Sequence, residues 1–495
     1  MNPRILADNY RRRFPRLAIG VAAIAVAGAV AMTNASAQLP QGGTVKVVPA
    51  SLPAGAAVVA TTADDIRSRI ESAAGLVAAG EKLHGTLLRQ FYAAFNYQPV
   101  WPTHPAQAEA LLRLVLRADE HGLDPDRFHG AALRDLNALP PTDRELLLSD
   151  AILGYADALA RGALPVETRI DDEDLRPEPI DVAAVLAQAL GTPDPAAAIA
   201  GLAPTWPAYL ELKRALAEYR AGVGSDPAAA ARAALLHQAK RGPAAESPSD
   251  IRLRQIIVNM ERLRWLPRQL PAERVWVNSA NAQLVLYRDD KPVFTTRVVV
   301  GEADKQTPEL QATITAVLFN PPWNVPISIL KDEIMPQLSR NPDYLSRHHM
   351  VYRSNGMVQQ LPGPQAALGQ LKLEMPNRFD VYLHDTPLKN LFSLDNRRRS
   401  HGCIRVQNPR ELAALLLQHP VEDINKAIAL GSTNSRPLPS PVPVFVVYQT
   451  AFLDSNGSLE FRPDVYGRDD EMWQLLRPLR QAPVAQREPA GQPPG

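Results

Sequence analysis

Apolar residues between 61 and 267 recur at helical spacing. Leu88, Phe91 and Phe95 stand at i, i+3 and i+7, and Leu111, Leu114, Val115 and Ala118 form a second stripe that stops at Gly122. Leu148, Ile152, Tyr155 and Leu159 make a third, and Leu253, Ile256, Ile257, Met260 and Leu263 a last one, halted by Pro267. Pro-rich connections such as "LRPEPID" and "GTPDPAAA" lie between them. One-sided apolar stripes are what helices present to a shared core, so 61–267 is predicted as a helical domain.

The period then drops to two. "RVWVNSANAQLVLYRDDKPVFTTRVVVG" alternates and is rich in β-branched residues, with Asp289-Asp290-Lys291 as a hairpin turn. "ATITAVLF", "RFDVYLH" and "VPVFVVYQTAFL" add further strands. One helix stands out, with Asn408 as its cap, Pro409 in the first turn and Glu411 three residues after the cap. The segment 326–363 is polar, contains His348-His349 and lacks clean periodicity, so it reads as a lid inserted into the domain. The fold class is thus α+β: a helical scaffold followed by a mostly β domain over 273–450, then a 451–495 extension whose end, after Arg480, is expected to be disordered.

The N-terminus reads as an export signal. Arg11, Arg12, Arg13 and Arg16 precede an apolar run from Leu17 to Met32, followed by Ala35-Ser36-Ala37. Sixteen apolar residues are short for a span of about 20, so cleavage after Ala37 is expected, with an anchor through 17–32 as the alternative. Arg11-Arg12-x-Phe14 also fits a twin-arginine signal. Either route takes the chain to the periplasm, with 38–60 as a Pro-, Gly- and Ala-rich tether. With 53 basic and 52 acidic residues the net charge is +1, which gives no field for a nucleic acid.

Export changes the meaning of Cys403, the only cysteine in 495 residues. It has no partner in its own chain for a disulfide, and a leftover thiol in an exported protein is a candidate reactive group. His401 and His384 both precede it. His384 closes the strand "DVYLH" nineteen residues upstream and could present an imidazole to a loop folding back. His401 is close enough in sequence either to shape the turn or to orient an oxyanion. Gly402 permits close backbone approach, and the Gly402 and Cys403 amides, read as preceding a helix, could bind an oxyanion.

His384, fifteen intervening residues, then Ser400-His401-Gly402-Cys403 resembles the signature of L,D-transpeptidases with a YkuD-type catalytic domain. "NPPWNVP", "PGPQAALGQLKLEMPN", "YLHDTPLKNLF" and "GCIRVQNP" extend the likeness to the large YcbB-like branch. The resemblance implies Cys403 as nucleophile, His384 as proton acceptor and donor, and His401 and Gly402 in the oxyanion turn, with Ser400 opening the signature. Arg405 then pairs with a substrate carboxylate or with a structural acid. Trp323 lines the substrate groove or packs a core, and Tyr382 is groove wall or packing. The implied partners are donor and acceptor peptidoglycan stem peptides, crosslinked through a thioester and open to carbapenems; no cofactor or metal is required. Both 3–3 crosslinks and 1–3 crosslinks, cut at L-Ala–diaminopimelate, use this chemistry, with 3–3 preferred. The Gly-rich wall-binding module of large members is not found in 221–250, a plain Ala- and Pro-rich stretch.

Three rivals remain. Papain-like and NlpC-like peptidases place cysteine before histidine, the reverse of the order here. A zinc site from His384, His401 and Cys403 lacks a close ligand pair of the usual spacing. A non-catalytic wall-binding protein would need a decayed motif, whereas residues 400–403 are intact.

Overall fold

The computed structural model describes residues 54–477, apart from 73–74, 172, 222–247, 355 and 455. The export signal and anchor, residues 38–53 of the tether, most of 221–250 and the tail after Arg480 lie outside the described residues. The backbone from Ala54 is already helical, through Glu71, so the tether ends earlier than its composition suggests.

The helical domain is built around the helix Pro141–Arg161. Leu146, Leu147, Ile152, Leu153, Tyr155 and Leu159 are each fully buried, and Glu145, Ser149 and Asp150 are buried with them, so this helix sits inside its neighbours. Gly85–Ala93 and Pro105–Leu116 pack against it, and Gly122 adopts φ +70 where the second predicted stripe stops. Pro248–Arg264 ends the domain, and its last ten residues are buried, Glu261, Arg262 and Arg264 included. Those charges are paired: Arg264 with Glu261 at 2.9 Å and Arg262 with Asp469 at 2.5 Å.

Arg398–Ser400 and, from the helical region, Glu173–Asp174 add short edges to the sheet of the second domain, whose eight main strands are β1 (Arg274–Asn278), β2 (Gln283–Arg288), β3 (Lys291–Gly301), β4 (Glu309–Phe319), β5 (Leu371–Glu374), β6 (Leu383–His384), β7 (Ile404–Val406) and β8 (Asn434–Val447). They pair in the order β5-β6-β7-β3-β2-β1-β8-β4, and β4 pairs again with β5, closing the sheet on itself. The β2–β3 hairpin turns on Asp289 and Asp290 with φ +50 and +58, the two positive angles of a type I′ turn. The predicted single hairpin is in fact two, because 279–282 also reverses the chain between β1 and β2. Alternation sends Val275, Val277, Leu284, Leu286, Val298, Leu383 and Ile404 into one core together with the helix Pro409–Leu417. Their neighbours face outward, and that outer face carries the chemistry.

Two expectations need correction. Only Leu383–His384 of "RFDVYLH" is strand, because Asp380 turns at φ +52 just before it. The helix starts at Pro409 with β7 intervening, so no helix N-terminus faces Cys403. Asn408 also makes no side-chain cap; its Oδ1 accepts from Thr296 instead.

The predicted lid is ordered. Helical turns over Ile327–Arg340 and Tyr344–Arg347 lead into Met350–Tyr352 and Val358–Gln360, and the last pairs with Trp323–Asn324. Val325, Ile334, Leu345, Met350 and Val358 give the insertion a small core of its own. The 451–477 extension is also folded. Phe445, Val447, Ala451, Met472 and Leu476 join the core of the helical domain, so the two predicted domains share one continuous interior.

Candidate active site

Register decides which side chains meet. β6 runs parallel to β7 with Leu383 opposite Ile404 and His384 opposite Arg405, and β5 runs antiparallel to β6 with Lys372 opposite His384. Leu371, Leu373, Leu383, Ile404 and Val406 are buried inside the sheet. Because side chains alternate, Lys372, Tyr382, His384, Cys403 and Arg405 all project from the outer face. A sequence separation of nineteen residues becomes adjacency on one surface.

Cys403 is half-buried. Its thiol points at the Asp380 carbonyl, 3.9 Å away, and the amide and hydroxyl of Tyr382 face the sulfur. Burial pushes the thiol above its ordinary value, while Tyr382 and the charges of Lys372 and Arg405 pull the other way. The Tyr382 hydroxyl lies between this sulfur and the Trp323 side chain, and burial followed by the thiol raises its pKa. The Lys372 ammonium sits 4.2 Å over the Tyr382 ring. Tyr382 and Trp323 are therefore both at the site, with Trp323 on the root strand of the lid.

His384 is buried, edge-on to Tyr382 at 5.6 Å. Its Nδ1 lies 2.5 Å from the Asp385 carbonyl, which accepts the ring proton there and leaves Nε2 as the basic nitrogen. Burial, then the charge of Arg405, lowers its pKa to about 3. The resting pair is a neutral thiol and a neutral imidazole. Asp385 is itself held, accepting from the Gln370 amide at 2.9 Å and from Lys389 at 2.5 Å. Gly369, at φ +60, makes room: a Cβ there would lie 2.5 Å from the Asp385 carboxylate.

Arg405 forms no ion pair within 4 Å among the described residues and its buried Nε has no hydrogen-bond partner, while Glu302 lies near enough to act on its charge. Ser400 is buried to 2% and shapes the turn: its hydroxyl donates to the Cys403 carbonyl at 2.6 Å and accepts from the Gly402 amide at 3.3 Å. It does not face substrate. Gly402 holds φ +103 and its carbonyl accepts from Thr307 at 2.8 Å. His401 is exposed and its Nε2 bonds Glu333 of the lid, which also takes Lys305 at 3.3 Å. His401 thus belongs to the lid contact. Among the described residues no cluster of His, Cys, Asp and Glu converges as a metal site, and His401 turned to Glu333 leaves the zinc reading without its third ligand.

Lys372, Glu333 and the Asp385 carbonyl escaped sequence reading. Lys372 had a signal, a charge at the outward position of the alternating Leu371-Lys372-Leu373; Glu333 had none.

A half-buried thiol, a neutral imidazole fixed by a backbone carbonyl, and two cations without an ion pair among the described residues share one sheet face, the groups that cysteine acyl transfer calls for. Comparison with known proteins agrees. Residues 272–442 match the YkuD family, the L,D-transpeptidase catalytic domain, and residues 86–216 match the Scaffold domain. The chain therefore carries a YkuD-type L,D-transpeptidase catalytic domain joined to a helical scaffold, the YcbB-like architecture. A Haemophilus influenzae protein provisionally named an L,D-transpeptidase is 31% identical over 252 residues, 45% of this chain and 51% of that relative. The match spans about half of that relative's length. Among solved structures, a cysteine-to-serine mutant of an Enterococcus faecium L,D-transpeptidase is 15% identical over 36% of this chain and 50% of that one, with a TM-score of 0.18. L,D-transpeptidase 3 from Mycobacterium tuberculosis, with a faropenem-derived adduct, is 13% identical over 37% and 62%, with a TM-score of 0.20. Superpositions this loose carry no argument about individual residues.

Proposed function

We propose that this protein crosslinks peptidoglycan stem peptides outside the cytoplasm, through a thioester on Cys403. The observation that carries the reading is the shared outer face of Cys403, His384, Tyr382, Arg405 and Lys372. As the sulfur attacks the stem carbonyl, His384 Nε2 takes the thiol proton, and the Asp385 carbonyl stabilises the imidazolium through Nδ1–H. The Tyr382 hydroxyl and the Cys403 amide are the donors available to the oxyanion, the Gly402 amide being directed to Ser400. His384 returns its proton to the leaving amine, the thioester remains, and an acceptor amine displaces the sulfur. Arg405, with no carboxylate in direct ion-pair contact among the described residues, takes a carboxylate of the donor.

The preferred donor is a tetrapeptide, cut before its terminal D-alanine to give 3–3 crosslinks. The alternative, 1–3 crosslinks, needs the lid to shift the peptide and leaves the chemistry unchanged. Purified protein given a defined tetrapeptide muropeptide should release free D-alanine and form dimers, and Cys403→Ala should do neither. Release of a peptide beginning with diaminopimelate overturns the bond preference. Turnover by Cys403→Ala overturns the mechanism.

A further inference from the structure

The outer sheet face does not end at the active site. Arg405 on β7 lies opposite Val299 on β3, and further along, Thr295 lies opposite Val285, which lies opposite Trp276 on β1. There the sheet forms one wall of a cavity of about 750 Å³, with Trp276, Gln283 and Tyr287 among its lining. Trp206, which precedes the helix Pro207–Arg220, and Phe452 of the C-terminal extension line it too. None of these residues takes part in the chemistry at Cys403.

Four aromatic side chains, Trp206, Trp276, Tyr287 and Phe452, are only part-buried here and offer flat apolar surface. Between them lie polar groups open to the cavity: Gln269 and Thr295 are exposed and Gln283 is part-exposed. A wholly apolar ligand would strip these groups of water without replacing it, at about 1–3 kcal/mol each. A polyanion finds no excess of positive charge, because Arg268 and Arg274 are matched in number by Asp290 and Asp454, with Arg274 paired to Asp290 at 2.6 Å. The remaining chemistry is a ring with apolar faces and hydrogen-bonding edges. That is a sugar.

We infer that this cavity binds the glycan strand of peptidoglycan, a polymer of N-acetylated amino sugars, beside the catalytic groove. Sugar faces stack on the aromatic residues while hydroxyl and acetamido groups meet Gln283 and Thr295; the cavity falls within the 300–1,000 Å³ usual for such sites. From β7 to β2 and β1 is two and three strand steps, roughly 10–15 Å, and Thr295 lies four residues along β3 from Val299, roughly a further 13 Å. A four-residue stem, about 13 Å long, on a sugar seated in the cavity falls short of Cys403, so the stem that reaches the thiol is carried by a sugar farther along the same strand. The inference rests on the peptidoglycan reading for its ligand, but its test does not use catalysis.

Stem-free glycan strands, and N-acetylglucosamine tetramer as a defined probe, are titrated into the full chain carrying Cys403→Ala. Binding is followed by calorimetry and by tryptophan fluorescence. Saturable binding with a change in fluorescence is expected. Trp276→Ala should weaken it tenfold or more, and Gln283→Leu, a milder change on the cavity wall, severalfold, the latter at unchanged melting temperature. With Cys403 restored, both variants should be acylated by a soluble tetrapeptide at the parent rate. No binding of either glycan, or unchanged binding in well-folded variants, overturns the proposal. Binding of an apolar or Pro-rich peptide in place of glycan overturns it too. Glycan binding without acylation of Cys403 would instead sink the peptidoglycan crosslinking reading and leave this site standing.

Discussion

At the scale of the residue, the unusual feature is that neither partner at Cys403 is charged at rest. Burial and Arg405 hold His384 at about 3, and burial lifts the thiol. A preformed thiolate–imidazolium pair of the papain kind requires the opposite shifts. In the proposed mechanism proton transfer is therefore coupled to attack, and substrate binding, by excluding water and occupying Arg405, sets the moment of reaction. The pH dependence of alkylation by iodoacetamide checks this. The rate should keep rising beyond about pH 8.5, the ordinary thiol value, and His384→Ala should barely move that profile. The same variant should slow turnover of a stem peptide by about 10²-fold or more. An alkylation midpoint below pH 7 that disappears in His384→Ala would contradict the neutral-pair account.

At the scale of the element, the lid is held to the signature turn by one carboxylate. Partial burial works against Glu333, but its bonds to His401 and Lys305 keep it charged, below the usual carboxylate range. Being depressed, this group gives a contact present at neutral pH and lost as pH falls through its folded value. Glu333→Gln should loosen the lid by about 1 kcal/mol, the upper end for a part-exposed pair. Amides of 327–347 should then exchange severalfold faster at neutral pH, with the β-sheet unchanged. Equal exchange in both proteins would show the lid to be held by its own core alone. Sequence reading reached the elements whose cause is local. The helices follow from the stripes through Leu148 and Ile256, the β2–β3 turn from Asp289-Asp290, and the nucleophile from a lone exported cysteine. It failed where the cause is long-range. "DVYLH" shrank to two strand residues because pairing with β7 fixes them, and His401 went to the lid because Glu333 comes from 68 residues away.

At the scale of the molecule, scaffold and catalytic domains are joined by a buried ionic knot. Glu173, from the helical region, pairs in register with Glu309 on β4, and Arg262 and Arg468 lie near Glu309 at 3.8 and 3.7 Å. Burial, then the Glu309 charge, raises Glu173 to about 7. An acid with a raised folded pKa holds its proton longer in the native state, so it favours the native state at low pH. That advantage is lost as pH rises from the unfolded value near 4.3 through about 7. The melting temperature of the wild type should therefore fall from pH 5 to pH 8 relative to Glu173→Gln. Parallel curves would show that Glu173 is not protonated in the fold. The proposed chemistry runs through one thiol, and the most direct test reads that thiol itself. Intact-mass spectrometry after brief incubation with a stem tetrapeptide, quenched in acid, should show one adduct on Cys403. Its mass should equal the tetrapeptide less D-alanine, and it should be absent from Cys403→Ala. An unmodified protein after prolonged incubation, or an adduct on any other residue, would contradict the account.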